Sequence, residues 1–214
     1  MVITWYGQAC FRLQSGQTTV VIDPFEKKLG LTPPKFEAQI VLVTHEHFDH
    51  NNTKDIKGDP LVIDGPGEYE TSGVRIRGVF SYHDDTEGSQ RGVNTIYVIK
   101  MEDIRIVHLG DLGQSRLTEE QLDTLGEVDI LMVPVGGIYT LDAKQATEIT
   151  NQIEPKIVIP MHYKVKDLKV KLDPVDNFLK EVGKTELEKL DKFTIKQKDL
   201  LDLEGKMEVI VFKL

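Results

Sequence analysis

The sequence predicts a layered α/β protein with mixed β-sheets. Short apolar runs bounded by Gly, Pro, Asn or Asp recur along its 214 residues, and such runs are typical of buried strands. In the second half of the chain these runs alternate with helical patterns that begin at capping residues. Strand pairs at both ends of the chain add antiparallel neighbours, so we expect sheets that contain both strand directions.

The first three predicted strands cover residues 2–6, 9–13 and 18–22 and are joined by turns that contain glycine. The third strand ends at Asp23, directly before a proline. A carboxylate there can accept hydrogen bonds from backbone amides of a neighbouring loop, although an Asp-Pro pair that starts a turn explains it almost as well. Residues 26–37 form a predicted connecting loop.

The next apolar run, residues 40–44, leads directly into a cluster of potential metal ligands. The cluster is His45-Glu46-His47-Phe48-Asp49-His50. Each imidazole offers one ring nitrogen and each carboxylate one or two oxygens, so two metal ions can share this loop if other segments complete their coordination. A solvated polar turn is the alternative. Three of the six histidines in the chain lie in this cluster behind a core strand, which favours a metal site.

Two further strands are predicted in the middle of the chain. After a short helix or turn at 51–57, residues 61–63 form a predicted buried strand. Residues 74–82 alternate in polarity and predict a strand with one covered face, which carries Val74, Ile76, Gly78 and Phe80. The polar stretch 84–92 follows as a candidate loop beside the site.

The remaining elements alternate between strands and capped helices. Strands are predicted at 95–100, 104–109, 129–133, 157–159, 193–196 and 207–212. Helices are predicted from Thr118 to Leu125, from Asp142 to Ile153 and from Pro174 onward, each beginning at a residue suited to a helix start.

Three further potential ligands, His83, Asp111 and His162, also directly follow apolar runs. Five of the six histidines therefore lie at strand ends, where ligands and catalytic groups gather in α/β architectures. His108 instead lies inside a predicted strand, and we expect it to be a hydrogen-bonded core residue.

Composition and charge limit the function classes. The length suits a single domain spanning residues 1–214. The net charge of −9 argues against sequence-independent nucleic-acid binding. The lone cysteine, Cys10, excludes an internal disulfide, and no apolar stretch is long enough to cross a membrane. Together with the lack of a signal-peptide pattern, these features predict a soluble cytoplasmic protein without a membrane partner.

The ligand pattern resembles that of the metallo-β-lactamase-fold hydrolases. It combines residues 45–50 with His83, with the segment 108–111 that ends at Asp111, and with the segment 160–162 that ends at His162. The resemblance covers essentially the whole chain. It is greatest to the small prokaryotic hydrolases that include the L-ascorbate-6-phosphate lactonase-like proteins. Gln8 departs from the pattern, because many relatives have histidine there, and this puts a supporting or substrate contact in question.

The resemblance implies a four-layer αβ/βα sandwich, in which two mixed β-sheets are flanked by helices and the metal site lies along one edge. It assigns His45, His47 and His83 to a first metal and Asp49, His50 and His162 to a second, with Asp111 bridging the two. The implied cofactors are two divalent ions. Zn²⁺ is the family default, and Mn²⁺ or Fe also suits nitrogen and oxygen ligands.

Such a site predicts a dinuclear metal-dependent hydrolase of a small, anionic ester, lactone or phosphodiester. Two ions ~3.5–4 Å apart can share a water and lower its pKa, so that a bridging hydroxide becomes available. Asp49 and Asp111 are the predicted catalytic residues, and Asp49 can act as a general base if one ion is lost. Tyr139, Tyr163 and Lys164 are candidates for substrate contact, with packing or surface roles the stronger alternative.

Two alternative functions stay open at this point. A ribonuclease-type phosphodiesterase acting on RNA is one, but the acidic balance and the absence of a basic arm count against it. A non-hydrolytic di-iron redox module is the other, but it requires a flavin-binding domain or partner for which the chain has no room. A small molecule is therefore the expected partner, and the sequence locates no interface between copies of the chain.

Overall fold

Two β-sheets form the centre of the computed structural model, which describes residues 1–203 and 205–214. The strands are, in chain order, β1 (Val2–Gly7), β2 (Cys10–Ser15), β3 (Thr18–Ile22), β4 (Ile40–Leu42), β5 (Leu61–Ile63), β6 (Gly67–Thr71), β7 (Val74–Tyr82), β8 (Val93–Met101), β9 (Ile104–His108), β10 (Ile130–Pro134), β11 (Ile157–Met161), β12 (Lys189–Leu190), β13 (Phe193–Thr194), β14 (Glu208–Val209) and β15 (Val211–Phe212). The predicted strands are therefore present, some of them shortened. The prediction of one strand at 207–212 was wrong, because this stretch forms two strands, β14 and β15, that pair with different neighbours.

Both large sheets contain parallel and antiparallel neighbours. The first sheet has the order β13-β1-β2-β3-β4-β5, and it is antiparallel up to β3 and parallel from β3 to β5. The second has the order β14-β11-β10-β9-β8-β7-β6, with parallel neighbours from β14 to β9 and antiparallel ones beyond. β12 and β15 form a separate parallel pair. These mixed sheets confirm the predicted fold class.

Three α-helices accompany the sheets: α1 (Glu119–Leu125), α2 (Ala143–Ile153) and α3 (Val175–Glu181). Thr118 and Asp142 begin the first two helices with reciprocal capping boxes to Gln121 and Gln145. In each box the cap side chain accepts from a backbone amide of the first turn while the glutamine bonds back to the cap, so polar groups that the helix leaves free are satisfied.

The two faces of the first sheet pack against different layers. One face contributes Ile3, Leu13 and Ile40 to the main core, which also contains residues of the second sheet and of the helices. The other face, which includes Val21 and Val41, packs against the connection 25–38 and its short 3₁₀ turn (Lys27–Leu29). Among the described residues, α-helices therefore flank only the second sheet, and a loop layer replaces them on the first.

The structure corrects two predictions of burial. Strand β5 is present, but Leu61 is 45% exposed and Val62 is 42% exposed, because β5 is the edge strand of its sheet. In β7 the predicted alternation holds up to Gly78 and then reverses, so that Phe80 is exposed and Ser81 is buried. The reason is that Phe80 lines a cavity beside the histidine cluster. The edge strand β6 was not predicted, since its polar residues are mostly exposed.

No helix in the described part of the chain is long and apolar enough to cross a membrane.

Candidate metal centre

All of the predicted ligand segments lie at the ends of strands, where the two large sheets meet along one edge. The loop 45–50 follows β4 of the first sheet, while His83, Asp111 and His162 follow β7, β9 and β11 of the second. Because β4, β9 and β11 are short and buried at nearly every residue, the sheets hold the starting point of each ligand segment in place.

The structure brings these side chains together in three groups whose possible ligand atoms lie within 4.8 Å of one another. The groups are His45-His47-His83, His45-His50-Asp111 and Asp49-His50-His162. The first and third are the two sets that the family resemblance implies, and Asp111 belongs to the group that overlaps both. All seven predicted ligands are therefore neighbours in space.

Asp111 occupies the centre of the cluster. Its Oδ2 lies 3.2 Å from His162 Nε2, 3.3 Å from both His50 Nε2 and His83 Nε2, and 3.9 Å from His45 Nε2. One carboxylate oxygen therefore faces two histidines from each predicted metal set. This is the position that a ligand shared between two ions requires.

Two histidines of the first set, His45 and His47, have lowered pKa values. Burial, followed by the neighbouring His50, holds the pKa of His45 well below its ordinary value. Burial and the adjacent His83 also lower the pKa of His47. Neutral imidazoles keep a nitrogen lone pair free, as metal ligation requires.

The second set contains a strongly coupled acid–base group. Burial opposes a charge on His50, but Asp111, Asp49 and Asp23 outweigh it and raise the pKa of His50 well above its ordinary value. Burial likewise opposes ionisation of the two ligand carboxylates, but His50 lowers the pKa of Asp49, and His162 with His50 lowers that of Asp111. Without a cation, a proton on His50 therefore balances charge in this pocket.

A second feature also fits a bound metal. Several buried ligand atoms have no hydrogen-bond partner among the described residues. These atoms include His45 Nε2, His50 Nε2 and Asp111 Oδ1. Leaving a buried polar atom unsatisfied costs about 1–3 kcal/mol, so three of them on neighbouring side chains of one cluster fit a site that holds a cation. The nitrogen and oxygen donors suit Zn²⁺, Mn²⁺ or Fe.

Asp23 holds the cluster in place through hydrogen bonds, which is one of the two roles predicted for a carboxylate at the end of β3. Its Oδ1 accepts from the Thr44 backbone amide at 2.8 Å, and its Oδ2 accepts from the Thr44 hydroxyl at 2.8 Å. The same Oδ2 lies 2.9 Å from His50 Nδ1. A proton held on Nδ1 by this contact leaves Nε2 of His50 free to bind a metal.

Gln8 lies at the site, although from the sequence it is only a departure from the family pattern and not one of the predicted site residues. The residue is fully buried, and its Nε2 lies 2.8 Å from Asp49 Oδ2 and 2.7 Å from His162 Nε2. Its position directly after β1, another strand end, was the available signal. The Gln8 side chain therefore contacts two predicted ligands of the second metal.

Close backbone packing fixes the position of Asp111. Its backbone amide donates to Asn94 Oδ1 at 3.0 Å, and Asn94 Nδ2 donates to the Leu109 carbonyl at 2.9 Å. Gly110 lies between them with φ +58°, and a Cβ there would lie 2.3 Å from Asn94 Oδ1 and 2.8 Å from Thr44 Cβ. Only glycine satisfies both the backbone angle and the space.

A cavity of about 270 Å³ opens beside the first metal set. Its lining includes His45, His47, Phe80 and Arg91. The loop 84–92, predicted to border the site, supplies Arg91, and the carboxylate of Asp84 organises this loop by accepting backbone hydrogen bonds from Thr86, Gly88, Gln90 and Arg91.

The other candidate residues have separate surroundings. Tyr163 is buried and packs on Trp5 at 4.9 Å between ring centroids, beside a larger cavity of about 680 Å³ that Lys164 also lines and that contains none of the seven predicted ligands. Tyr139 is exposed, and the Arg91 guanidinium lies 5.7 Å from its ring. His108 is a core residue, as predicted, with Nε2 2.9 Å from the Ala9 carbonyl.

Comparison with known proteins identifies the family. The profile described as "Beta-lactamase superfamily domain" matches residues 2–162, which is more than half of the chain. The UPF0173 metal-dependent hydrolase of Thermoplasma acidophilum is 31% identical over 198 residues, a match that covers 80% of this chain and 87% of the relative. The chain belongs to the metallo-β-lactamase superfamily. Like its relatives in the UPF0173 family, it is a metal-dependent hydrolase.

Solved structures of this superfamily agree with the fold. A Thermotoga maritima protein described as a candidate Zn-dependent hydrolase of the superfamily is 37% identical, with a TM-score of 0.79 and full coverage of both chains. Igni18, a metallo hydrolase from Ignicoccus hospitalis, is 20% identical with a TM-score of 0.64, and it covers 91% of this chain and 99% of its own. At that identity, the likeness to Igni18 shows the fold alone.

Proposed function

We propose that this superfamily member is a dinuclear hydrolase, with Zn²⁺ the leading candidate for both ions, that acts on a small anionic ester, lactone or phosphodiester. The observation that carries the proposal is the position of Asp111, whose Oδ2 lies 3.2–3.9 Å from imidazole nitrogens of both predicted metal sets. A carboxylate that served one ion alone would not need to face four histidines.

The residues divide into those that hold the metals and those that orient the ligands. His45, His47 and His83 would hold one ion and Asp49, His50 and His162 the other, with Asp111 shared. Two divalent ions so placed would supply Lewis acidity toward a carbonyl or phosphoryl oxygen and a water of lowered pKa. Asp23 orients His50, since the contact to Nδ1 fixes which nitrogen points into the site.

Of the two carboxylates Asp49 and Asp111, Asp49 is better suited to accept a proton. Its side chain is 12% exposed, compared with 4% for Asp111, so water reaches it more readily. The lowered pKa of Asp49, which results from His50, keeps it ionised at neutral pH. If one ion is lost, this ionised carboxylate can accept a proton from the water held by the remaining ion.

The cavity beside the first metal set supports a small substrate with an apolar part. Its volume of about 270 Å³ falls just below the range of about 300–1,000 Å³ for ordinary small-molecule sites. Arg91 supplies one positive charge at the wall, which also carries the carboxylates of Glu46 and Asp64, and the exposed Phe80 and Val93 supply apolar surface. The positive charge that would attract an anion is therefore that of the bound ions. The larger cavity near Tyr163 is a poorer candidate for the substrate site, because its lining contains no predicted ligand.

The same features disfavour RNA as a substrate. The net charge of −9 opposes a polyanion, and the small cavity suits a compact molecule better than a structured nucleic acid. We therefore propose a small-molecule partner and, in line with the sequence prediction, action in the cytoplasm.

The test is metal analysis of protein purified from its native host, combined with a panel of phosphodiesters, lactones and esters, the last including thioesters. We expect two equivalents of metal and hydrolysis of at least one of these classes. The activity should be lost on chelation and return when metal is restored. Metal-loaded protein that hydrolyses none of them, or hydrolysis that survives complete chelation, would contradict the proposal.

A further inference from the structure

Gln8 is held in a conformation that directs its side chain into the cluster. Its backbone has φ +53°, a left-handed conformation that costs a non-glycine residue roughly 1–2 kcal/mol. Two contacts to its carbonyl oxygen maintain that turn: Trp5 Nε1 donates at 3.0 Å and the His162 backbone amide donates at 2.9 Å. Gln8 is thereby tied directly to the segment that carries a predicted ligand.

The carboxamide of Gln8 faces the ligand atoms of the second metal set. Its Nε2 lies 2.8 Å from Asp49 Oδ2 and 2.7 Å from His162 Nε2, whereas its Oε1 is buried without a hydrogen-bond partner. His162 Nε2 is also the nitrogen that faces Asp111, at 3.2 Å, so it is the atom available for a metal.

This arrangement of the amide is incompatible with a metal on His162. A metal uses the lone pair of Nε2, which is the same lone pair that an amide N–H would occupy. A half-turn about the last side-chain bond of Gln8 exchanges the amide nitrogen and oxygen in nearly the same space. The exchange brings an oxygen to Asp49 and His162 and places the amide nitrogen where Oε1 now lies.

We propose that the Gln8 carboxamide oxygen is a further ligand of the metal held by Asp49, His50 and His162, an inference that rests on the dinuclear site proposed above. Ligand atoms at right angles around an ion, each about 2.1 Å from it, lie about 3.0 Å apart. The contacts of 2.7 and 2.8 Å at Gln8 approach that spacing. An added neutral oxygen raises the ligand number and makes this site more suitable for Mn²⁺, which favours oxygen donors.

The test measures metal affinity of the full chain, so that it does not depend on activity. Metal-free wild-type protein, Gln8→Ala, Gln8→Met and Gln8→Glu are each titrated with Mn²⁺ and with Zn²⁺ against a competing chelator. We expect Gln8→Ala and Gln8→Met to bind one of the two ions about 10- to 100-fold more weakly, with a loss for Mn²⁺ at least as large as that for Zn²⁺. Gln8→Glu keeps an oxygen in place and retains both ions.

Gln121→Ala is the matched control, because Gln121 is another buried glutamine but bonds to Thr118 and Phe80 instead of to ligands. It should lose stability and keep both metal affinities. The Co²⁺-loaded proteins supply a second readout, since loss of a ligand alters the visible absorption of one site in Gln8→Met but not in Gln121→Ala.

The outcomes separate the two proposals. Wild-type protein that binds two ions, together with Gln8→Ala and Gln8→Met variants of unchanged affinity and Co²⁺ spectrum, would overturn the assignment of Gln8 and leave the dinuclear site standing. Wild-type protein that binds no metal would overturn both.

Discussion

Asp23 lets us test how far the metal centre depends on a residue that touches no metal. The Asp23→Asn substitution preserves the size of the side chain. It can keep one oxygen as the acceptor for the Thr44 backbone amide, which in the wild-type protein donates to Asp23 Oδ1 at 2.8 Å. It replaces the other oxygen, 2.9 Å from His50 Nδ1, with an amide that donates. His50 must then move its proton to Nε2, the nitrogen needed for the metal, or leave a buried donor unpaired.

The magnitude follows from that contact. A hydrogen bond to a charged group contributes about 1.5–3 kcal/mol, which corresponds to roughly 10- to 100-fold in affinity. Loss of outer ligand support in metal sites typically weakens binding by a similar factor. We therefore expect Asp23→Asn to raise the Kd of one ion about 10- to 100-fold, and chelator competition with the metal-free protein measures it.

Asp129→Asn is the control for general destabilisation. Asp129 also accepts two hydrogen bonds, from the Arg105 amide and from Lys156 Nζ, each at 2.8 Å. It directly precedes β10, at the end opposite to the site. We expect this variant to unfold more easily but to bind metal normally. Wild-type affinity in Asp23→Asn, or an equal loss in Asp129→Asn, would refute the reasoning about His50.

Three further predictions concern protons, backbone space and substrate charge. The carboxylates beside His50 raise its pKa, so metal binding must expel a proton and metal affinity should fall as the pH is lowered. Calorimetric titrations in buffers of different ionisation enthalpy count the released protons, and a count of zero would contradict this prediction. Gly110→Ala combines a steric clash with the strain of a positive φ and should lower the free energy of unfolding by about 2–5 kcal/mol in chemical denaturation. Gly73→Ala, at φ +74° but with open space around its Cβ, should cost about 1–2 kcal/mol. Equal losses in the two variants would exclude the clash. Arg91→Ala removes an arginine from the cavity lining and should raise KM several-fold for anionic substrates without a comparable change for neutral ones. Arg75→Ala, which removes a charge that lines a different cavity, should alter neither value.

The sequence allowed the ligand segments to be located because each follows a predicted strand, which is a short apolar run before residues 45–50, Asp111 and His162 and an alternating run before His83. Strand β7 was predicted with its observed bounds, and the capping boxes at Thr118 and Asp142 placed two helix starts. In these cases local propensity and burial require the same structure.

Features that depend on the neighbouring element could not be predicted in this way. Phe80 continues the apolar face of β7 in sequence, but a cavity instead of the core lies opposite it. From the sequence, Gln8 is only a departure from the family pattern, and its contacts depend on the approach of the 162 segment to the end of β1. Such contacts arise from the meeting of two sheets, which no single stretch of sequence encodes.

The central claim is that one carboxylate, Asp111, joins two metal sites. Its most direct test is the number of metal ions per chain in wild-type protein and in Asp111→Ala, both reconstituted with Zn²⁺ and analysed by elemental mass spectrometry after removal of free metal. We predict two ions per wild-type chain and loss of this two-ion state in Asp111→Ala, with no remaining hydrolysis. Two ions per chain in folded Asp111→Ala, or full turnover by that variant, would contradict the claim.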